Sequence, residues 1–153
     1  MFTPEIITFM EETVIPLRLA CVTESGWPLT LSLWYVYLDG AIYCATQQSA
    51  RVVRYLGDEN RCGFEIASDL PPYCGLRGQA RAVIEPEKGA DVLEILLKRY
   101  LNGIDNQLSR DLLSKKNKEV AIRITPVNIT TWNFKDRMKD VAEKNLCKPC
   151  IDE

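Results

Sequence analysis

Residues 42–60 read IYCATQQSARVVRYLGDEN, and this stretch decides how the rest of the chain is read. Ile42–Ala45 has the composition of a short strand that runs out into Thr46-Gln47-Gln48. Ser49 stands where a helix N-cap belongs, Arg51 and Arg54 fall in the first turns, and Gly57 is placed to close the helix. A helix start carries amide N–H groups without intrahelical partners and the positive end of the peptide dipole. With hydroxyls and an arginine beside it, it is an anion site, and phosphate is the anion expected. The plain alternative is a capping serine followed by surface arginines.

Working outward, Thr3-Pro4-Glu5 has the form of a helix start, and Ile6, Phe9, Met10 and Val14 recur at helical spacing before Pro16. Leu17–Thr23 reads as a strand and Glu24-Ser25-Gly26 as a tight turn. Pro28–Leu38 (PLTLSLWYVYL) reads as one long strand. Leu29, Leu31, Leu33, Tyr35 and Tyr37 share one of its faces; Thr30, Ser32, Trp34, Val36 and Leu38 share the other. Asp39-Gly40 signals a type I′ hairpin, from which 41–45 returns antiparallel. Arg61–Ala67 and Tyr73–Ile84 read as the fourth and fifth strands, the latter with interior Gly75 and Gly78 that mark a bulge, a bend or a close approach. Pro86–Leu101 and Ile104–Lys116 read as helices, and Val120–Phe134 as a sixth strand, with Pro126 implying an edge or a bend. Hairpins at the front and few helices disfavour a doubly wound sheet. The pattern predicts a six-stranded antiparallel barrel with flanking helices over residues 1–137 and a polar tail over 138–153.

The 153 residues suit one domain with a core of its own. A formal net charge of -2 argues against a dedicated nucleic-acid binder, which would carry a basic excess. No apolar run approaches the ~18 residues that span a bilayer, and the acidic N-terminal stretch is no secretory signal. A cytoplasmic protein with reduced thiols is expected. Histidine is absent, which removes Ser-His-Asp and Cys-His catalysis and every histidine-ligated metal. Acid–base work would fall to other side chains, to water or to a cofactor.

Taken together, Gly26-Trp27-Pro28, the mid-strand Trp34, Asp39-Gly40, Tyr43-x-x-Thr46 and Ser49-x-Arg51 resemble the pattern of the flavin-nucleotide-binding split-barrel family, which includes the pyridoxamine 5′-phosphate oxidases. Leu76-Arg77-Gly78-Gln79-Ala80 and Ile124-Thr125-Pro126 with Thr131-Trp132-Asn133-Phe134 are similar to two of its later strands. The resemblance covers about residues 5–137 and implies an FMN-binding split barrel that forms a homodimer with FMN at the interface. It implies that Thr46, Ser49 and Arg51 hold the FMN phosphate and that Ser32, Leu33 and Trp34 lie along the ring and ribityl chain. It also implies that Gln79 lies at the site and that Trp132 approaches the flavin from the partner subunit. No catalytic side chain and no metal are implied; the activity is an electron or hydride transfer between a reduced nicotinamide, or another donor, and a small-molecule acceptor.

The chain departs from the oxidases in having Ala50 where a second cation follows the serine, no arginine-rich early strand and no histidine. Oxidase activity proper is therefore not expected. A flavin-binding or sensing module without catalysis, the same fold holding deazaflavin or heme, and an empty interaction domain remain as alternatives. Cys147-Lys148-Pro149-Cys150 is open between an incidental pair, a redox pair and half of a metal site.

Overall fold

The computed structural model describes residues 2–142. Seven strands form one antiparallel sheet: β1 (Leu17–Val22), β2 (Pro28–Leu33), β3 (Val36–Leu38), β4 (Ala41–Gln47), β5 (Arg61–Ala67), β6 (Cys74–Glu85) and β7 (Glu119–Asn133). Their order across the sheet is β2-β1-β5-β6-β7-β4-β3. The helices are α1 (Pro4–Glu12), α2 (Arg51–Asp58), α3 (Gly89–Leu101), α4 (Gln107–Leu113) and α5 (Lys139–Ala142). No helix among the described residues is long and apolar enough to cross a membrane. Cys147 and Cys150 lie outside the described residues.

The expected count of six strands is corrected to seven, because the stretch 28–38 is two strands. Residues 28–33 pair with β1, and residues 36–38 pair with β4 at the opposite margin of the sheet. At the break, the Tyr35 N–H goes to the Tyr100 hydroxyl, 3.3 Å away, instead of a ladder. Three Cα steps of 3.8 Å separate Leu33 from Val36, so the two margins approach within about 11 Å there and the sheet must curl on itself. No ladder joins β2 to β3.

The two-face division of this segment persists through the break. Leu29, Leu31, Leu33, Tyr35 and Tyr37 belong to the main core, with Ile6, Phe9 and Met10 of α1 and Val52 and Leu56 of α2. Trp34, Val36 and Leu38 belong to a second cluster, in which Val92, Leu96 and Tyr100 of α3 pack on β3, β4 and β7 from outside. Gly89 makes that approach possible: a Cβ there would stand 2.1 Å from the Glu119 carbonyl oxygen. Asp39 and Gly40 both have positive φ, 48° and 80°, as the type I′ turn requires.

The bend expected at Pro126 is a β-bulge. Ala80 pairs with Pro126 and Gln79 with Asn128, which leaves Val127 without a partner on β6. The extra residue inverts the alternation of β7. Ile122 and Ile124 point into the main core before it and Ile129 after it, so Asn128, Thr130 and Trp132 share the outer face with Gln79, Arg77 and Gly75. Gly78 faces inward opposite Ile129, where a Cβ would meet the Asn128 carbonyl oxygen at 2.2 Å and the Phe64 ring at 2.7 Å. Cys21, Cys44 and Cys62 are free and buried, whereas Cys74 is disulfide-bonded, against the expectation of reduced thiols throughout.

Candidate functional site

The sequence-expected site residues fall into three places. The first is the junction of β4 and α2. Thr46 pairs with Val120 on the β7 ladder, and the Gln47 side-chain amide donates to the Glu119 carboxylate. The Gln48 N–H donates to the Lys118 carbonyl at 2.8 Å, and the Ala50 N–H to Gln47 at 2.9 Å. These bonds fold residues 47–50 into a turn. The N-cap is Ala50, with extended backbone, and no side chain caps the helix. The reading of Ser49 as the cap is thus corrected: the turn ends one residue later, and Ser49 stands exposed before it. Gly57 lies within α2, whose C-cap is Glu59.

Arg54 is engaged by Glu24 at 2.9 Å. Neither the Ser49 nor the Arg51 side chain bonds to another described residue, and both are exposed. An uncapped helix start, a free hydroxyl and an unpaired guanidinium therefore stand together. Burial holds the Glu119 carboxyl above its ordinary range, and the Gln47 amide opposes that rise.

The second place is the outer face of the sheet. Thr30, Ala20, Gly63, Gln79 and Asn128 form one cross-strand row; Ser32, Arg18, Glu65, Arg77 and Thr130 form the next. A trough of about 520 Å³ lies over these rows, with Ala20, Gly63 and Gly78 in its lining. Gln79 and Asn128 lock to each other through two bonds, 3.0 Å to the Gln79 N–H and 2.7 Å between side chains. The Arg77 guanidinium lies 5.1 Å from the centre of the Trp132 ring. Gln79, Ser32 and Trp132 are thus brought to one face. None of Thr46, Ser49 and Arg51 lines the trough.

The third place is the β2–β3 link. Leu33 is half-buried against the main core. The Trp34 ring stacks on Tyr100 with centroids 5.0 Å apart and planes 11° from parallel, under α3. Arg18, Arg77 and Asn128 are the face residues that sequence reasoning missed. Period-two spacing relates Arg77 to Gln79 and Asn128 to Thr130, but the parity of β7 depends on the bulge.

Among the described residues the free thiols, Cys21, Cys44 and Cys62, are not poised for chemistry. Burial pushes Cys62 up to about 11 and raises Cys44 and Cys21 as well, so all three remain protonated near neutral pH. Burial also raises the Tyr35 hydroxyl, next to Tyr100. What the site offers is binding and orientation.

No protein-family model matches the chain, and no curated protein matches it. Solved structures do. The conserved hypothetical protein Rv2991 from Mycobacterium tuberculosis superposes with a TM-score of 0.73 at 22% identity, over 100% of this chain and 93% of that one. An F420 reductase matches at 0.65 and 18% identity, over 84% of this chain and 98% of its own. An FAD-binding protein from Mesorhizobium loti matches at 0.61 and 16%, over 85% and 94%. At these identities the likeness is one of fold: a mainly β sheet with flanking helices, as in these proteins.

Proposed function

We propose that the chain is an FMN-binding oxidoreductase, working as a homodimer with the cofactor at the interface. The observation that carries this reading is the β4–α2 junction, where an uncapped helix start meets the unpaired Ser49 and Arg51. The donor set suits a phosphate: a hydroxyl, a guanidinium and amide N–H groups, with no carboxylate among the described residues paired to Arg51. The F420 reductase and the FAD-binding protein, which share the fold, lend support from proteins whose names state a flavin-type cofactor.

Arg51 would neutralise the phosphate, while the Ser49 and Thr46 hydroxyls donate to it. The segment Ser32, Leu33 and Trp34 would lie along the ring and ribityl chain, with Trp34 held from behind by Tyr100. Gln79 would offer its amide from the outer face. Trp132 would reach the cofactor of the partner subunit across that same face. FMN, when bound, supplies two-electron chemistry as a hydride acceptor and donor. The protein's share is positioning and exclusion of water, consistent with a chain that has no histidine and with free thiols that stay protonated among the described residues.

The test is the absorption spectrum of the purified protein, with the released chromophore identified by mass. A yellow protein releasing FMN, reduced by a nicotinamide, supports the reading. A released deazaflavin would keep the reaction class and replace the cofactor, an outcome given weight by the likeness to the F420 reductase. A colourless protein without affinity for added FMN would refute it.

A further inference from the structure

A second hollow, of about 580 Å³, continues the trough along the outer face; the two share Ala20, Gly63 and Gln79. One wall is apolar: Val22, Pro28 and the bulged Val127. Val127 is 67% exposed, held out by a bulge that gives it no strand partner. At the other end stand Arg61 and Arg81, directly opposite each other across β5 and β6. Like charges in directly opposed cross-strand positions repel, so this pairing works against the sheet unless something else uses it.

The two guanidiniums are unequally compensated. Glu59 is committed to Arg61: one carboxylate oxygen accepts from the Arg61 guanidinium at 2.6 Å and the other from its backbone N–H at 3.0 Å. Arg81 has the neutral Asn60 amide oxygen at 3.0 Å, and the Asn60 carbonyl is taken by the Ala82 N–H at 2.8 Å. Thr125, opposite Arg81 on β7, brings no charge, and its hydroxyl accepts from Arg123. The end of the hollow therefore holds two planar cationic forks against one carboxylate, beside an apolar wall.

We propose that the Arg61–Arg81 end of this hollow is a ligand site for a small organic anion, with a carboxylate or phosphate head on the two guanidiniums and an apolar body on Val22, Pro28 and Val127. Planar guanidinium forks match the oxygens of either head group. The apolar wall favours an organic ester or acid over the inorganic ion. The site is separate from the β4–α2 junction, since none of Thr46, Ser49 and Arg51 lines it, and of the residues given to the cofactor it shares Gln79 alone.

Calorimetric titration of the purified protein with benzoate, benzamide, phenyl phosphate and inorganic phosphate tests the assignment. Saturable binding of benzoate or phenyl phosphate at millimolar concentration is expected, roughly tenfold weaker in Arg81→Gln and in Arg61→Gln, with benzamide at least as weak. Both arginines are exposed, so these variants fold, and an unchanged thermal midpoint verifies it. A carboxylate source and a phosphate source are separated by whether benzoate or phenyl phosphate binds tighter. Equal affinity of Arg81→Gln and wild type overturns the site, as does absence of saturable binding by both organic anions. Inorganic phosphate binding as tightly as phenyl phosphate overturns the apolar half. Chromophore content measured in the same samples keeps the two readings apart: a colourless protein that binds benzoate refutes the cofactor and leaves this site standing.

Discussion

Arg99 on α3 donates to the carbonyl oxygen of Met10 in the last turn of α1, 2.6 Å away and 89 residues distant in sequence. The same guanidinium reaches Glu11 at 2.8 Å and Thr13 at 3.1 Å. The last carbonyls of a helix have no intrahelical donors, and α1 has no basic residue of its own in its last turn. Arg99 supplies both the donors and the charge, and the Tyr35 hydroxyl adds a donor within reach of Met10 and Thr13. Arg99→Met is expected to cost about 2–3 kcal/mol, a fall in Tm of roughly 5–10 °C for a chain of this size. Arg99→Lys, which keeps the charge and loses the fork, should cost about half as much. Urea denaturation of the two variants checks both; a loss under about 0.5 kcal/mol for Arg99→Met would show that the contacts carry no net stability.

Two glycines give opposite expectations for the same substitution. At Gly78 a Cβ meets backbone at 2.2 Å and the Phe64 ring, both fixed by the sheet, so Gly78→Ala should destabilise by about 3 kcal/mol or more. At Gly57, inside α2, nothing lies within 4 Å of a Cβ and the backbone is helical. Gly57→Ala should stabilise by about 0.5–1 kcal/mol through helix propensity and a less flexible unfolded chain. Thermal unfolding of both variants decides. A stabilising Gly78→Ala would contradict the close approach of β7 to β6.

Much of this was legible before the structure. Arg61–Ala67 has the bounds expected, and alternation put Leu29 and Thr30 on opposite faces, as they are, with Leu29 against the core and Thr30 in the trough. The extra strand was hidden for a physical reason: alternation continues through Trp34-Tyr35, so a change of ladder partner leaves no mark in a period-two pattern. Ser49 was misassigned as the cap because capping serines are common, whereas the Gln47–Ala50 turn is fixed by Lys118 and Glu119, remote in sequence. Arg77 and Asn128 were missed as partners on one face because Val127 inverts β7, and a single bulged residue has no compositional signature. Trp34 was expected along the cofactor, and its ring packs on Tyr100, a contact between elements that no local pattern encodes.

Glu119 sets a pH dependence. Burial raises its carboxyl above the unfolded value, against the Gln47 hydrogen bond, so the folded state favours the protonated form. Its contribution to stability is full below the unfolded carboxylate range and is lost as pH rises through the folded value. Glu119→Gln removes the titration and keeps an oxygen to accept from Gln47. The variant should therefore gain on the wild type between pH 4 and pH 7, at roughly constant ionic strength, when unfolding free energies are compared. A difference between the two proteins that is flat over this range would mean that the buried carboxyl titrates as it does in the unfolded chain.

Arg51 offers the cleanest separation of binding from folding. Its side chain is exposed and pairs with no described residue, so Arg51→Ala leaves no stranded partner, and stability should change by less than about 0.5 kcal/mol. A guanidinium on a phosphate makes charge-assisted bonds, and its loss should weaken FMN binding by roughly ten- to a hundredfold. Ser49→Ala removes one neutral donor and should cost roughly three- to tenfold. The wild-type affinity should fall with added salt, and that of Arg51→Ala should fall less steeply, because the screened charge is gone. Titration of flavin fluorescence against each protein measures all three. FMN that binds Arg51→Ala as tightly as wild type, with the same salt dependence, would place its phosphate elsewhere than the start of α2.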